Sequence, residues 1–224
     1  MKVIKKKLDL KDTDCHTSEI LKRLFSRYKY APATALHFST PLEILVATIL
    51  SAQCTDERVN KITPWLFKKY HTARDYAQTP VKILEQEIRT AGFYHNKAKN
   101  IIGACHIIDK KYAGRVPDKM EELIQLPGVA RKTANIVLGN AYGIVVGIAV
   151  DTHVRRLSNR LGFTKENIPE KIEKDLMNLI ERKNWFNISN ILIEHGRKVC
   201  KASKPGCESC FISDICPKIG IPVN

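Results

Sequence analysis

Residues 126–151 read L-P-G-V-A-R-K-T-A-N-I-V-L-G-N-A-Y-G-I-V-V-G-I-A-V-D, and the opening of that stretch decides the fold. A helix must stop ahead of Pro127, which donates no amide hydrogen and fixes its own φ, while Gly128 supplies the positive φ of a tight turn. From Arg131 the chain restarts as a helix. Good helix formers and the apolar spacing of Ala134, Val137 and Leu138 predict about three turns, closed by Gly139 or Gly143. The pattern is a helix-hairpin-helix. Successive backbone amides of such a hairpin, with the N-terminus of its second helix, suit a phosphate oxygen. Lys132 falls in that first turn. A primary amine beside a phosphate clamp is a nucleophilic arrangement, although residue types alone leave open an ordinary surface lysine next to a nucleic-acid-binding hairpin.

Upstream, Ser39-Thr40-Pro41 opens a helix with a hydroxyl cap and proline in the first turn. Its sequence, L-E-I-L-V-A-T-I-L-S-A-Q, is apolar nearly all round, which predicts the centre of a first domain, ending at Gln53. Leu21, Leu24, Phe25 and Tyr28 predict an amphipathic helix over 17–29, stopped by Pro32, with fraying basic residues ahead of it. Thr79-Pro80 starts another short helix, and Asp118 with Glu121 reads as a capping box ahead of Leu123. Phe93 follows a glycine and either stands exposed or packs inward. The N-K-A-K after it opens a helix over 96–112, with Lys97 and Lys99 meeting phosphates or water.

Downstream, I-V-V-G-I-A-V leads into Asp151, placed as N-cap of T-H-V-R-R-L. Arg155, Arg156 and Arg160 follow, with solvated charge as the default reading of each. Helices are expected over 169–180 and 184–197, the second carrying Trp185, Ile188, Ile191 and Leu192 as a core stripe. No alternating strand pattern occurs, so the fold class is all-α.

The chain's 224 residues, 44% hydrophobic, are enough for one large or two small domains. Its 37 Lys and Arg against 23 Asp and Glu leave a formal charge of +14, a field that favours a polyanion. No apolar run is long enough to span a bilayer and no secretory signal opens the chain, so a soluble, unsecreted protein with no membrane partner is expected. Of seven cysteines, Cys15, Cys54 and Cys105 are scattered and read as small buried apolar residues in a reducing compartment. Cys200, Cys207, Cys210 and Cys216 fall within 17 residues, with six, two and five residues between them. Four thiols so close predict one metal site, and the residues alone leave zinc and a cubane iron–sulfur cluster both open.

L-P-G-V-A-R-K-T-A-N, V-D-T-H at 150–153, S-A-Q-C-T-D at 51–56 and the cysteine spacing together closely resemble the endonuclease III family of base-excision DNA glycosylases. The match runs from Ser51 to the last cysteine. It implies a two-domain helix-hairpin-helix glycosylase fold: a six-helix barrel over 34–144, and an iron–sulfur domain from 1–33 with 145–224, whose cluster loop is 200–216. DNA would lie in the groove between them. The resemblance decides for one structural [4Fe-4S] cluster on the four cysteines. It implies a bifunctional enzyme that removes oxidised pyrimidines and cleaves abasic sites. Lys132 would be the nucleophile and Asp151 would steady charge on the sugar. Gln53, and Phe93 at a second position, would fill the space of the extruded base. Gly128, Ala130 and Arg131 would contact phosphate at the hairpin, and Lys201 and Lys204, beside Lys198, would do so at the cysteine loop. The partner implied is double-stranded DNA with a damaged base or abasic site. A monomer in the cytoplasm, at the nucleoid, is expected. The family usually has glycine where this hairpin has Ala130, which puts a methyl close to the expected phosphate. A water-using adenine or mismatch glycosylase and a non-catalytic DNA-binding module are the rival readings, and the lysine at 132 argues against the first.

Overall fold

Seven consecutive residues, Ile44 to Leu50, are buried in the helix Pro41–Ser51, an arrangement open only to a helix with neighbours on every side. The computed structural model describes residues 10–29 and 34–221. In chain order its helices are Leu10–Arg27 (α1), Pro41–Ser51 (α2), Asp56–Lys69 (α3), Ala73–Gln78 (α4), Val81–Glu87 (α5), Tyr94–Lys111 (α6), Met120–Leu123 (α7), Arg131–Val137 (α8), Thr152–Arg160 (α9), Pro169–Leu179 (α10) and Trp185–Lys198 (α11). Among the described residues every regular element is helical. The chain divides into two compact units, one of Ala33–Ala149 and one of Met1–Pro32 with Val150–Asn224.

The first unit is built round α2. The Thr40 side chain accepts the Glu43 amide and Pro41 occupies the first turn, so the helix start needs no outside help. Its one buried hydroxyl, Thr48, donates to the Ile44 carbonyl at 2.6 Å and so carries no unpaired polar group into the core. α2 packs against α3, α6 and α8, and α6 packs against α4 and α5. Ala98, Ile101, Ala104, Cys105 and Ile108 form the buried stripe of α6 at helical spacing. Burial pushes the Cys105 thiol up to about 12.

In the second unit α11 packs against α1 and α9, and α9 also packs against α10. Ile20, Leu24, Val154, Leu157, Ile172, Leu176, Ile188, Ile191, Leu192 and Ile212 are buried there. At Gly196 α11 comes close to side chains of α9. A Cβ there would lie 2.8 Å from His153 Nδ1 and 2.9 Å from Arg156 Nη2.

Several local expectations change. α1 already runs at Leu10 and ends at Arg27; Pro32 and the basic residues 1–9 lie outside the described residues. Its buried stripe is Thr17, Ile20 and Leu24, with Leu21, Phe25 and Tyr28 half-buried at its side, and Cys15 is exposed because it faces away from that stripe. Cys54 is only partly buried. α2 stops two residues short of Gln53, since Ala52 leaves the helical region at ψ 115° and Gln53 has φ +51°. The expected capping box at Asp118 and Glu121 does not form. Lys119, extended at φ −118°, is the N-cap of α7 and makes no side-chain cap bond, which leaves Asp118 one residue too early. Trp185 is half-buried, its Nε1 donating to the Ile180 carbonyl at 2.7 Å, while Ile188, Ile191 and Leu192 carry the core face of α11.

Candidate active site and cysteine loop

The hairpin forms where proline and glycine predict it. After α7 the Leu126 carbonyl accepts the Val129 amide at 3.1 Å, which closes the turn around Pro127 and Gly128. Gly128 has φ +77°, and a Cβ there would come within 2.8 Å of Asn100 Cβ on α6. Both conditions require glycine. Ala130 is the N-cap of α8 at φ −91°, ψ 172°, extended backbone that alanine adopts without strain, and it is exposed. It offers no side-chain acceptor to the first turn, whose amides have no acceptor within the helix either. First-turn amides of this kind suit an external anion. α8 continues through a wider π turn at Leu138–Tyr142, which Gly143 ends at φ +66°.

Ala134, Asn135 and Val137 face the core, which leaves Lys132 exposed on the outward face of the first turn, beside half-buried Arg131. Gln53 is exposed just beyond α2. Phe93 is 63% exposed and has φ +47°, the left-handed region in which a non-glycine residue is held only by its surroundings. α2 packs against α6 and α8, and Gly128 sits on α6, so Gln53, Phe93 and the hairpin rise from elements packed on one another. Lys97 is a correction: it meets neither phosphate nor water. It is 4% exposed, and its Nζ donates to the Leu50 carbonyl at 2.8 Å and the Ala91 carbonyl at 2.9 Å. Burial draws its pKa down. Lys99 is exposed, as either of its readings allows.

Asp151, in the other unit, is the N-cap of α9, its Oδ1 accepting the Val154 amide at 2.7 Å. Two arginines of α9, expected as solvated charge, instead brace the cysteine loop. Arg156 Nη2 donates to the carbonyls of Gly196 and Cys200, and Arg160 donates to those of Lys201 at 2.7 Å and Ala202 at 2.8 Å. Arg155 is exposed, in keeping with that default. Lys198 is taken up in an ion pair with Glu194 one turn back. Lys201 and Lys204 have exposed side chains on the braced loop.

Cys200, Cys207, Cys210 and Cys216 line one common pocket together with His195, Leu161 and Ile212. Among the described residues no three His, Cys, Asp or Glu side chains converge as a single-ion site. His195 is a residue that the sequence does not single out. It is 1% exposed, burial pulls its pKa down to about 4, and its Nδ1 lies 2.9 Å from the hydroxyl of Tyr28, a phenol that burial pushes up to about 12. With Tyr28 donating to Nδ1, the imidazole hydrogen sits on Nε2, 3.8 Å from Cys210 Sγ. A histidine at core spacing in α11 is the only signal the sequence offers.

The family model of HhH-GPD superfamily base excision DNA repair proteins matches residues 46–182, which sets the class of the protein. Within that class the chain is 54% identical to endonuclease III of Synechocystis sp., over 88% of this chain and 89% of that one. A non-covalent endonuclease III–DNA complex superposes with a TM-score of 0.87 at 43% identity, covering 92% of this chain and 95% of the other. A trapped covalent endonuclease III–DNA intermediate gives the same TM-score and identity, covering 92% and 96%. The chain belongs to the endonuclease III family of base excision DNA repair enzymes. No described helix is long and apolar enough to cross a membrane.

Proposed function

We propose that the chain is a bifunctional DNA glycosylase and abasic-site lyase that acts on duplex DNA carrying an oxidised pyrimidine. The observation that carries the reading is Lys132, an exposed primary amine in the first turn of α8, directly behind a hairpin whose glycine and uncapped amides suit a phosphate. The Lys132 amine attacks the anomeric carbon of the extruded nucleotide and the base departs with a proton. The C1′–O4′ bond of the sugar ring then opens, O4′ taking a proton, and the iminium so formed acidifies the neighbouring sugar carbon, whose proton is lost as the 3′ phosphate leaves by β-elimination. That a relative has been caught as a covalent DNA intermediate supports this order of events.

The other roles follow the resemblance. Asp151 steadies positive charge on the sugar and assists proton transfer. Gln53 and Phe93 fill the gap left by the extruded base. Gly128, Ala130 and Arg131 hold phosphate at the hairpin; Lys201 and Lys204 hold it at the cysteine loop. Domains over 34–144, and over 1–33 with 145–224, divide this work, and the protein acts as a monomer at the nucleoid. Cys200, Cys207, Cys210 and Cys216 hold one [4Fe-4S] cluster. Four thiols around a common cavity, with two arginines fixing the loop backbone, fit such a group, which would supply rigidity to the loop rather than a chemical step.

Borohydride added during turnover tests the mechanism by reducing the iminium and joining protein to DNA. Lys132→Gln should bind damaged duplex and fail to trap. Base release without trapping would indicate a water-using enzyme, binding without release a non-catalytic module, and trapping by Lys132→Gln a nucleophile elsewhere.

A further inference from the structure

The buried ammonium of Lys97 ends on two carbonyls with something in common. Leu50 lies in the last turn of α2, three residues before Gln53, and Ala91 closes the 3-10 turn Arg89–Ala91, two residues before Phe93. Carbonyls in a last turn lack a partner within their helix and carry its negative end, so a cation is the donor that suits both. The two residues downstream are also alike. Gln53 at φ +51° and Phe93 at φ +47° both hold left-handed backbone without being glycine, and both side chains are exposed. Core packing does not place either side chain. The backbone beneath them must do so.

We propose that Lys97 is a positioning residue that ties the Gln53 turn to the Phe93 turn, so that both side chains project from one rigid span. This rests on the reading of Gln53 and Phe93 as the residues that fill the extruded base's place. Lysine is suited to the task because one charge makes two charge-assisted bonds at once, to segments 47 and 6 residues away in sequence. Without the tie each turn would relax separately, while the phosphate-facing hairpin, on other residues, would keep its geometry.

Lys97→Met keeps the unbranched stem and removes both bonds. Its folding is followed by circular dichroism, and its single-turnover base release is measured on a duplex with one thymine glycol. Affinities are measured for undamaged duplex and for duplex with one abasic-site analogue, with 2-aminopurine opposite the analogue to report unstacking. Base release should fall about 10- to 100-fold, the usual consequence of a displacement on the order of 1 Å in a positioned group. Affinity for undamaged duplex should stay within about twofold, since phosphate contacts dominate it. The abasic preference and the 2-aminopurine signal should both fall. In a Gln53→Ala, Phe93→Ala background Lys97→Met should cost little more, because its effect runs through those two residues. Wild-type release and preference in folded Lys97→Met, or a fully additive loss in the double-variant background, overturns the proposal. If Gln53→Ala, Phe93→Ala itself keeps the abasic preference, the space-filling reading fails and takes this proposal with it. Should Lys97→Met not fold, Lys97→Gln, which keeps two neutral donors, goes through the same comparison. Failure of both to fold would make Lys97 a requirement of the core and overturn the positioning role.

Discussion

Asp151→Asn removes a charge and leaves a helix cap, which separates the two tasks given to this side chain. Its Oδ1 accepts the Val154 amide at 2.7 Å, a bond the amide oxygen of asparagine can make equally well. The structural cost is then the lost interaction of a carboxylate with the N-terminus of α9, about 0.3–1 kcal/mol. For a protein of this size that lowers Tm by at most about 4 °C. If the charge steadies a cationic sugar in the transition state, its loss costs about 2.7–4 kcal/mol, a hundred- to thousandfold fall in base release. Asp151→Ala supplies the control. It loses the cap bond as well, about 1 kcal/mol, so its Tm should fall below that of the asparagine variant while base release falls about as far. Scanning calorimetry gives the Tm values, and single-turnover kinetics on an oxidised-pyrimidine duplex gives the rates. Base release by Asp151→Asn within about threefold of wild type would refute the catalytic reading, since a charge at the reacting centre is worth far more than that. So would activities that simply track Tm across the two variants.

Gly128→Ala should destabilise the first unit by about 1–3 kcal/mol, because φ +77° is strained for alanine and its Cβ would press on Asn100; denaturant unfolding reads the loss, and Asn100→Ala should recover part of it. Affinity for undamaged duplex should fall steeply with salt, as the +14 charge implies, and Lys201→Ala should reduce the slope of log affinity against log salt by about one contact; an unchanged slope returns Lys201 to solvent. Protein purified without air should be yellow-brown with about four irons per chain, whereas colourless protein with one zinc would remove the cluster. Cys207→Ser should lose the colour and bind DNA more weakly, since the order of the loop depends in part on the group it holds.

Features set by a few adjacent residues are legible in the sequence alone. Pro127 and Gly128 break the chain, Thr40 and Asp151 cap the helices that follow them, and apolar residues all round α2 mark it as the core, because capping bonds, φ limits and helical periodicity act within one or two turns. The cysteine spacing belongs to the same group: four thiols on so short a segment have little choice but to share a space. Side chains whose partners lie far along the chain give a misleading local signal or none. Lys97 looks like surface charge on its own helix, and only the arrival of Leu50 and Ala91 turns it into a buried tie. Arg156 and Arg160 carry the same local signature as Arg155, yet the packing of α11 on α9 brings carbonyls to two of them and leaves the third in solvent. His195 becomes a link from Tyr28 to the cysteine cavity because the turn that follows α1 delivers a hydroxyl from 167 residues away. A charged or polar side chain takes the partner that desolvation forces on it, and which groups are desolvated together is decided only when distant segments pack.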